Sequence, residues 1–241
     1  MIEIENLVKK FGPFAAVKDI SFTVEPGQVL GFLGPNGAGK STTMKMITGF
    51  LSPTSGTIRV CGHTVQGDSL KAKREIGYLP EGAPSYGEMT PLQFLQFIGD
   101  VRGLKGAKRA ERIDTVISQL NLQQVINRPI ETLSKGFKRR VGISQAILHD
   151  PQVLILDEPT DGLDPNQKYE VRELIKGMAQ DKIVVISTHI LEEVDTVCTQ
   201  AIIIANGKVV ANETPKELLS RSPTGRMDDV FREITSAESL S

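Results

Sequence analysis

The sequence predicts an α/β fold in which a core sheet is built around a phosphate-binding loop, with an N-terminal antiparallel β element and an inserted helical subdomain. Three observations carry this reading. The apolar run Val29-Leu30-Gly31-Phe32-Leu33 leads directly into the glycine-rich stretch Gly34-Pro35-Asn36-Gly37-Ala38-Gly39-Lys40-Ser41-Thr42. From Thr90 to His149 apolar residues recur at helical spacing with almost no strand signal. Beyond that stretch strands and helices alternate again, starting with the buried-strand run Val153-Leu154-Ile155-Leu156.

Taken in order, Ile2 to Leu7 and Ile20 to Val24 read as strands, joined by turns at Phe11-Gly12-Pro13 and Pro26-Gly27, which gives the antiparallel element. The helix that opens near Lys40 runs through Thr43 to Phe50 and stops near Gly49, ahead of Pro53. Thr57 to Val60 and Ile76 to Leu79 are further strands, separated by a Gly- and Lys-containing connection. The helical stretch is marked by Leu92, Phe94, Leu95, Phe97 and Ile98, then by Ile113, Val116, Ile117 and Leu120. A helix around Gln167 to Ala179 and a strand from Ile183 to Ser187 follow the second apolar run. Asn206-Gly207 between Ala201–Ala205 and Lys208–Ala211 is a hairpin signal, Pro215 to Thr235 reads as short helices, and Ser236 to Ser241 as a frayed end. The expected organisation is one domain over 1–241, with the core and antiparallel element in about 1–89 and 150–214, the helical subdomain in 90–149 and a tail in 215–241.

Composition narrows the class. With 39% hydrophobic and 24% charged residues the chain reads as an ordinary globular protein rather than a disordered or fibrous one. A net charge of −1 makes no case for nucleic acid, and none is expected as a partner, although Lys135, Lys138, Arg139 and Arg140 form a local basic run. The two cysteines, Cys61 and Cys198, lie far apart and outside any metal-ligand spacing, which fits a reducing compartment. No apolar run approaches the roughly 18 residues needed to span a bilayer, and the start Met1-Ile2-Glu3-Ile4-Glu5 is unlike a signal peptide. Any spanning helices would therefore belong to another chain.

The chemistry begins at Gly34 to Ser41, which fits G-x-x-x-x-G-K-[ST] between a strand and a helix. Gly34, Gly37 and Gly39 allow a tight turn whose N–H groups face phosphate oxygens, reinforced by the positive end of the following helix. Lys40 reaches the β and γ phosphates, and the Ser41 hydroxyl suits Mg²⁺, a hard cation that prefers oxygen. Val153 to Leu156 then delivers Asp157 and Glu158 to a strand end, where ligands of open α/β sheets gather. Asp157 supports the metal, and Glu158 orients or deprotonates the attacking water. His189, just past the strand ending at Ser187, is placed to hydrogen-bond the γ-phosphate, while Ser134 caps a helix running toward Leu148 and leaves a second anion-binding helix end.

In order and spacing these motifs resemble the nucleotide-binding subunit of ABC transporters over nearly the whole chain. The Walker A loop corresponds to Gly34–Thr42, the signature motif to Leu133–Phe137, Walker B to Val153–Asp157, the D-loop to Gly162-Leu163-Asp164 and the switch histidine to His189. The resemblance implies a RecA-like P-loop NTPase core and adenine stacked on Phe11, where the bottom-up alternative is an ordinary turn aromatic; base stacking on an aromatic ring is worth about 1–3 kcal/mol in nucleic-acid cases. It also implies ATP and Mg²⁺ as cofactors, and a head-to-tail dimer, of identical or paralogous subunits, in which Ser134, Lys135, Gly136 and Asp164 complete the partner's site. Separately encoded integral membrane permease subunits, gripped by the helical subdomain, would hold the chain on the cytoplasmic face of the membrane.

Two positions depart from the family pattern. The Q-loop glutamine falls on Glu81, whose ionised carboxylate cannot donate a hydrogen bond but is a stronger Mg²⁺ ligand. The signature carries Lys135 for one of its two glycines and Phe137 for its glutamine. Tyr78–Glu81, Leu133–Phe137, Asp161–Gln167 and Met227–Phe231 resemble the exporter ATPases grouped with multidrug, gliding-motility and copper-processing systems. A soluble ABC-type ATPase of cofactor or iron–sulfur assembly would share the same catalytic residues and is the alternative.

Overall fold

The computed structural model describes residues 1–82, 86–222 and 224–237. Its first sheet joins β1 (Ile2–Phe11), β2 (Phe14–Val24), β4 (Ser55–Val60) and β5 (His63–Thr64) in the antiparallel order β2-β1-β4-β5. Both long strands extend past their sequence-predicted limits. In β1 the buried positions are Ile2, Ile4 and Leu7, so strict alternation slips by one residue. A bulge between Ile4 and Leu7 absorbs the slip; there Asn6 takes φ +48 and its N–H donates to Ser21 Oγ at 2.8 Å.

The second sheet contains β3 (Val29–Leu33), β6 (Ile76–Leu79), β7 (Val153–Asp157), β8 (Ile183–Thr188), β9 (Gln200–Ala205) and β10 (Lys208–Glu213), in the order β10-β9-β3-β8-β7-β6. All neighbours are parallel except β10, which returns through the Asn206-Gly207 hairpin. Every residue of β3, β7 and β8 is buried, which is the pattern of parallel strands covered on both faces and explains their uninterrupted apolar runs. Alternate side chains enter two cores. Leu30, Phe32, Val153, Ile155 and Val185 face Met44, Met46 and Ile47 of α1 (Lys40–Ile47) and the antiparallel sheet. Leu33, Leu154, Leu156, Val184 and Ile186 face the helices of residues 90–149 together with α6 (Pro165–Ala179) and α7 (Leu191–Val197).

Residues 90–149 form α3 (Pro91–Val101), α4 (Gly106–Gln119) and α5 (Lys135–Ile147), with two short 3₁₀ turns before α5. Thr90 starts α3 through a capping box with Gln93, and Pro91 occupies the first turn where its missing N–H does no harm. Phe94, Leu95, Ile113, Val116 and Val141 bury against the same core that receives Leu154 and Leu156. The sequence did not announce α2 (Ser69–Glu75) or α7: each is seven residues long, and α2 buries only Ala72, so neither shows an apolar period. Two tail helices, α8 (Pro215–Ser220) and α9 (Met227–Ala237), add Leu218, Met227 and Val230 to the larger core. Of the end expected to fray, α9 includes Ser236 and Ala237, and residues 238–241 lie outside the described residues.

Polar anchors fix the helical segment to β6. The Arg102 guanidinium donates to the carbonyls of Lys73 at 2.9 Å and Ile76 at 3.2 Å, and Gln145 Nε2 donates to the Tyr78 carbonyl at 2.7 Å. His149 Nε2 lies 3.2 Å from the Ile76 carbonyl, so this nitrogen carries the proton, and Nδ1 is buried without a hydrogen-bond partner among the described residues. Burial, followed by the nearby Arg102 charge, pushes His149 down to about 4 from an ordinary 6.5. The unfolded chain therefore binds a proton that the folded chain refuses. The resulting stability is full above pH 6.5 and is lost as pH falls toward 4, an effect of at most about 3 kcal/mol. In urea melts, wild type should lose more stability between pH 7 and pH 4 than His149→Gln, which keeps a donor for Ile76; equal losses would contradict the assignment.

Candidate functional site

Three neighbouring strands end at one place. In the parallel register Leu33 lies beside Thr188, and Asp157 beside Ser187, so the chain leaves β3, β7 and β8 through Gly34, Glu158 and His189 respectively. The cleft they surround has a volume of about 370 Å³ and is lined by Gly34, Pro35, Asn36, Lys40, Ser41, Glu81, Asp157, Glu158 and His189, all anticipated from sequence. Asp161, Ser187 and Phe231 line it as well and were not anticipated. Asp161 and Ser187 flank motifs that drew attention to their neighbours; Phe231 reaches the cleft from α9, and nothing local in sequence announces that.

The glycine-rich loop is shaped by close backbone packing. Gly39 has φ +109, and a Cβ there would stand 2.6 Å from the Ala16 carbonyl; a Cβ on Gly34 would stand 2.3 Å from the Ile204 carbonyl. No side chain caps the start of α1, which leaves its first amides directed at the cleft. Lys40 is buried and donates to the carbonyls of Gly34 at 2.6 Å and Pro35 at 3.2 Å. Burial lowers its ammonium from the usual range, opposed by the carboxylates of Glu158, Asp157 and Glu81. On the other side of the loop a second cleft of about 320 Å³ joins Gly37, Gly39, Lys40, Ser41 and Thr42 to Phe11. Phe14, paired with Phe11 across the β1–β2 turn, lines it too and was overlooked; both rings are exposed, and Lys9 Nζ stands 5.1 Å from the Phe11 centroid.

Glu158 is held in an uncommon backbone conformation at φ +50, of order 1–3 kcal/mol above ordinary geometry for a residue with a side chain. Its N–H donates to the Ser187 carbonyl at 2.8 Å. Its Oε1 lies 2.9 Å from His189 Nδ1, while Oε2 is buried without a hydrogen-bond partner among the described residues. Burial raises the carboxyls of both Asp157 and Glu158 above the usual range, and the His189 contact partly offsets this for Glu158. Arg139, buried in α5, donates through Nε to the Pro159 carbonyl at 3.1 Å and through Nη2 to the Asp157 carbonyl at 2.5 Å. Glu81 also lines a third recess with Ser41 and Asp157, so the three residues expected to serve a metal share one wall. Among the described residues no cluster of three or more His, Cys, Asp or Glu makes a protein-only metal cage. The Ser41 hydroxyl and the carboxylates of Asp157 and Glu81 fit a hard cation that keeps waters and phosphate oxygens among its ligands.

Ser134, Lys135, Gly136 and Asp164 do not line this cleft. Ser134 Oγ accepts from the Phe137 N–H at 3.4 Å and caps α5; Asp164 Oδ1 accepts from the Gln167 N–H at 3.0 Å and caps α6. The two helix starts pack together, with the Gln167 side chain lying where a Cβ on Gly136 would be, 2.3 Å away, and the Lys135 stem beside Gly162. One chain thus carries two groups of candidate residues that do not meet.

A glycine-rich loop at a strand–helix junction, facing two carboxylates at the end of a parallel strand one removed in the same sheet, defines a P-loop nucleoside triphosphatase. The family described as "ABC transporter" matches residues 17–161. An uncharacterized ABC transporter ATP-binding protein of Bacillus subtilis, YxlF, is 39% identical over 93% of this chain and 74% of its own length. The Nod factor export ATP-binding protein I of Ralstonia nicotianae is 34% identical over 91% of this chain and 69% of its own. A solved ATP-binding subunit of an ABC transporter superposes with a TM-score of 0.88 at 29% identity, covering 98% of this chain and 99% of that one. The chain belongs to the ABC transporter family; it is an ATP-binding subunit and an ATPase. These relatives do not favour the cofactor-assembly alternative.

Glu81 gives a direct test of the shared wall. Glu81→Gln should raise the Mg²⁺ concentration for half-maximal ATPase by roughly tenfold through loss of an anionic ligand. An unchanged Mg²⁺ titration would remove Glu81 from the metal site.

Proposed function

We propose that the chain powers an exporter, binding ATP with Mg²⁺ at the three-strand cleft and hydrolysing it when a second ATPase subunit closes over the nucleotide. The pairing of Glu158 with His189 beside the glycine-rich loop is the observation that carries this reading. Phe11 stacks the adenine, with Phe14 extending the same apolar edge. The amides of residues 34–42 take the phosphates, and Lys40 exchanges the carbonyls of Gly34 and Pro35 for β and γ phosphate oxygens. Ser41, Asp157 and Glu81 would hold Mg²⁺, which would offset phosphate charge.

Glu158 then takes a proton from the water that attacks the γ-phosphorus, whose bond to the β–γ bridging oxygen breaks to release ADP and phosphate. Its raised carboxyl makes it a stronger base than an exposed glutamate, and its positive φ turns the side chain into the cleft. His189 keeps Glu158 Oε1 engaged and leaves Oε2 for the water. Ser134, Lys135, Gly136 and Asp164 act on the nucleotide of the other subunit, which accounts for their distance from their own cleft; Lys135 adds positive charge toward the γ-phosphate.

Affinity for ATP that is higher in the closed dimer converts hydrolysis into opening, and this is the mechanical output. Residues 90–149 pass it to integral membrane permease subunits, with 1–89 and 150–214 as the nucleotide-binding core and 215–241 as a tail; the complex sits on the cytoplasmic face of the membrane. No helix among the described residues is long and apolar enough to cross a membrane. The export direction is supported by the name of the Nod factor relative.

Glu158→Gln should retain ATP binding but slow turnover by about 100-fold or more, because the amide cannot accept the proton. Light scattering should show the ATP-loaded variant as a dimer. Wild-type turnover in this variant would exclude Glu158 as the base.

A further inference from the structure

A buried polar cluster lies behind the cleft and contributes no surface to it. Glu193, in the first turn of α7, is 2% exposed, and Thr160 and Thr188 are 1% and 0% exposed. The Thr188 hydroxyl donates to Glu193 Oε2 at 2.8 Å, and the Thr160 hydroxyl donates to Glu193 Oε1. Thr188 Oγ1 also accepts from the Ile190 N–H at 3.0 Å, which fixes its proton toward Glu193. Thr160 lies two residues past Glu158, and Thr188 immediately precedes His189. One carboxylate therefore bridges the turn after β7 and the last residue of β8, next to the two residues of the Glu158–His189 pair.

Burying a carboxylate is unfavourable unless hydrogen bonds compensate, and here both oxygens of Glu193 are met by buried threonine hydroxyls. These bonds tie Glu193 to the segments on which Glu158 and His189 stand. We propose that Glu193 is a positioning residue for ATP hydrolysis, holding the loops after β7 and β8 in the relative register that sets Glu158 against His189. The inference rests on the reading of Glu158 and His189 as the hydrolytic pair. It extends that reading from residues touching the water or phosphate to one that touches neither. Because the glycine-rich loop and Phe11 lie on other segments, loss of the bridge leaves nucleotide binding in place and disturbs only the chemical step.

The test is steady-state ATPase of the full chain with nucleotide affinity measured separately. Thr160→Val is nearly isosteric and removes one arm of the bridge, Thr160→Ser keeps the hydroxyl, and Glu193→Ala removes both arms. Thr160→Val and Glu193→Ala should lower kcat roughly ten- to hundredfold, as expected for misplaced reacting groups, with ATP affinity within about twofold of wild type. Thr160→Ser should restore kcat. A kcat unchanged in Thr160→Val, or a parallel loss of kcat and ATP affinity, would overturn the proposal even if Glu193→Ala fails to fold. Glu158→Gln run alongside separates the two ideas. Wild-type turnover there overturns the hydrolytic pair and the bridge together, whereas loss there with normal Thr160→Val overturns the bridge alone.

Discussion

The parallel pairing of β3, β8 and β7 sets where every loop of the site leaves the sheet. Leu33, Thr188 and Asp157 end these strands at one level, so residues more than a hundred positions apart in sequence share a single cleft. The pairing is specified by side chains on both faces: shifting a strand by one residue would exchange the sets facing the two cores. Leu154 and Leu156 face the helical segment, while Val153 and Ile155 face the antiparallel side. Packing thereby fixes catalytic geometry, with no catalytic side chain contributing to the core.

What the sheet brings together it also makes electrostatically unfavourable. Lys40, Asp157 and Glu193 are each largely withdrawn from water, and burial shifts each toward its neutral form. Backbone carbonyls hold Lys40, threonine hydroxyls hold Glu193, and His189 holds one oxygen of Glu158. The left-handed backbone at Glu158 is fixed by the Ser187 carbonyl, while Arg139 secures the carbonyls on either side of it. A site preorganised in this way needs little rearrangement to meet a triphosphate and a metal.

Much of this was legible in the sequence because its signals are local. The glycine-rich loop needs particular residues at fixed spacing, buried strands are apolar throughout, and Ser134 stands where a helix cap belongs. Other features depend on tertiary placement. Phe14 and Phe231 are ordinary aromatics until a turn and a C-terminal helix set them against the clefts. Arg139 belongs to the basic run with Lys135, Lys138 and Arg140, yet its guanidinium is buried against the Asp157 and Pro159 carbonyls. The short helices α2 and α7 lack the length to display a period, and α7 carries Glu193.

Separation of Ser134 to Gly136 from the phosphate loop of the same chain leads to the central claim, that each site is shared between two subunits. Subunit complementation tests it most directly, using Lys40→Ala chains, defective in the loop, and Ser134→Arg chains, blocked at the opposing helix start. Each variant alone should be inactive. Mixing them should restore ATPase activity, because one site of the mixed dimer then combines an intact loop with an intact helix start. Wild-type activity of Ser134→Arg alone, or a mixture as inactive as its components, would contradict the claim.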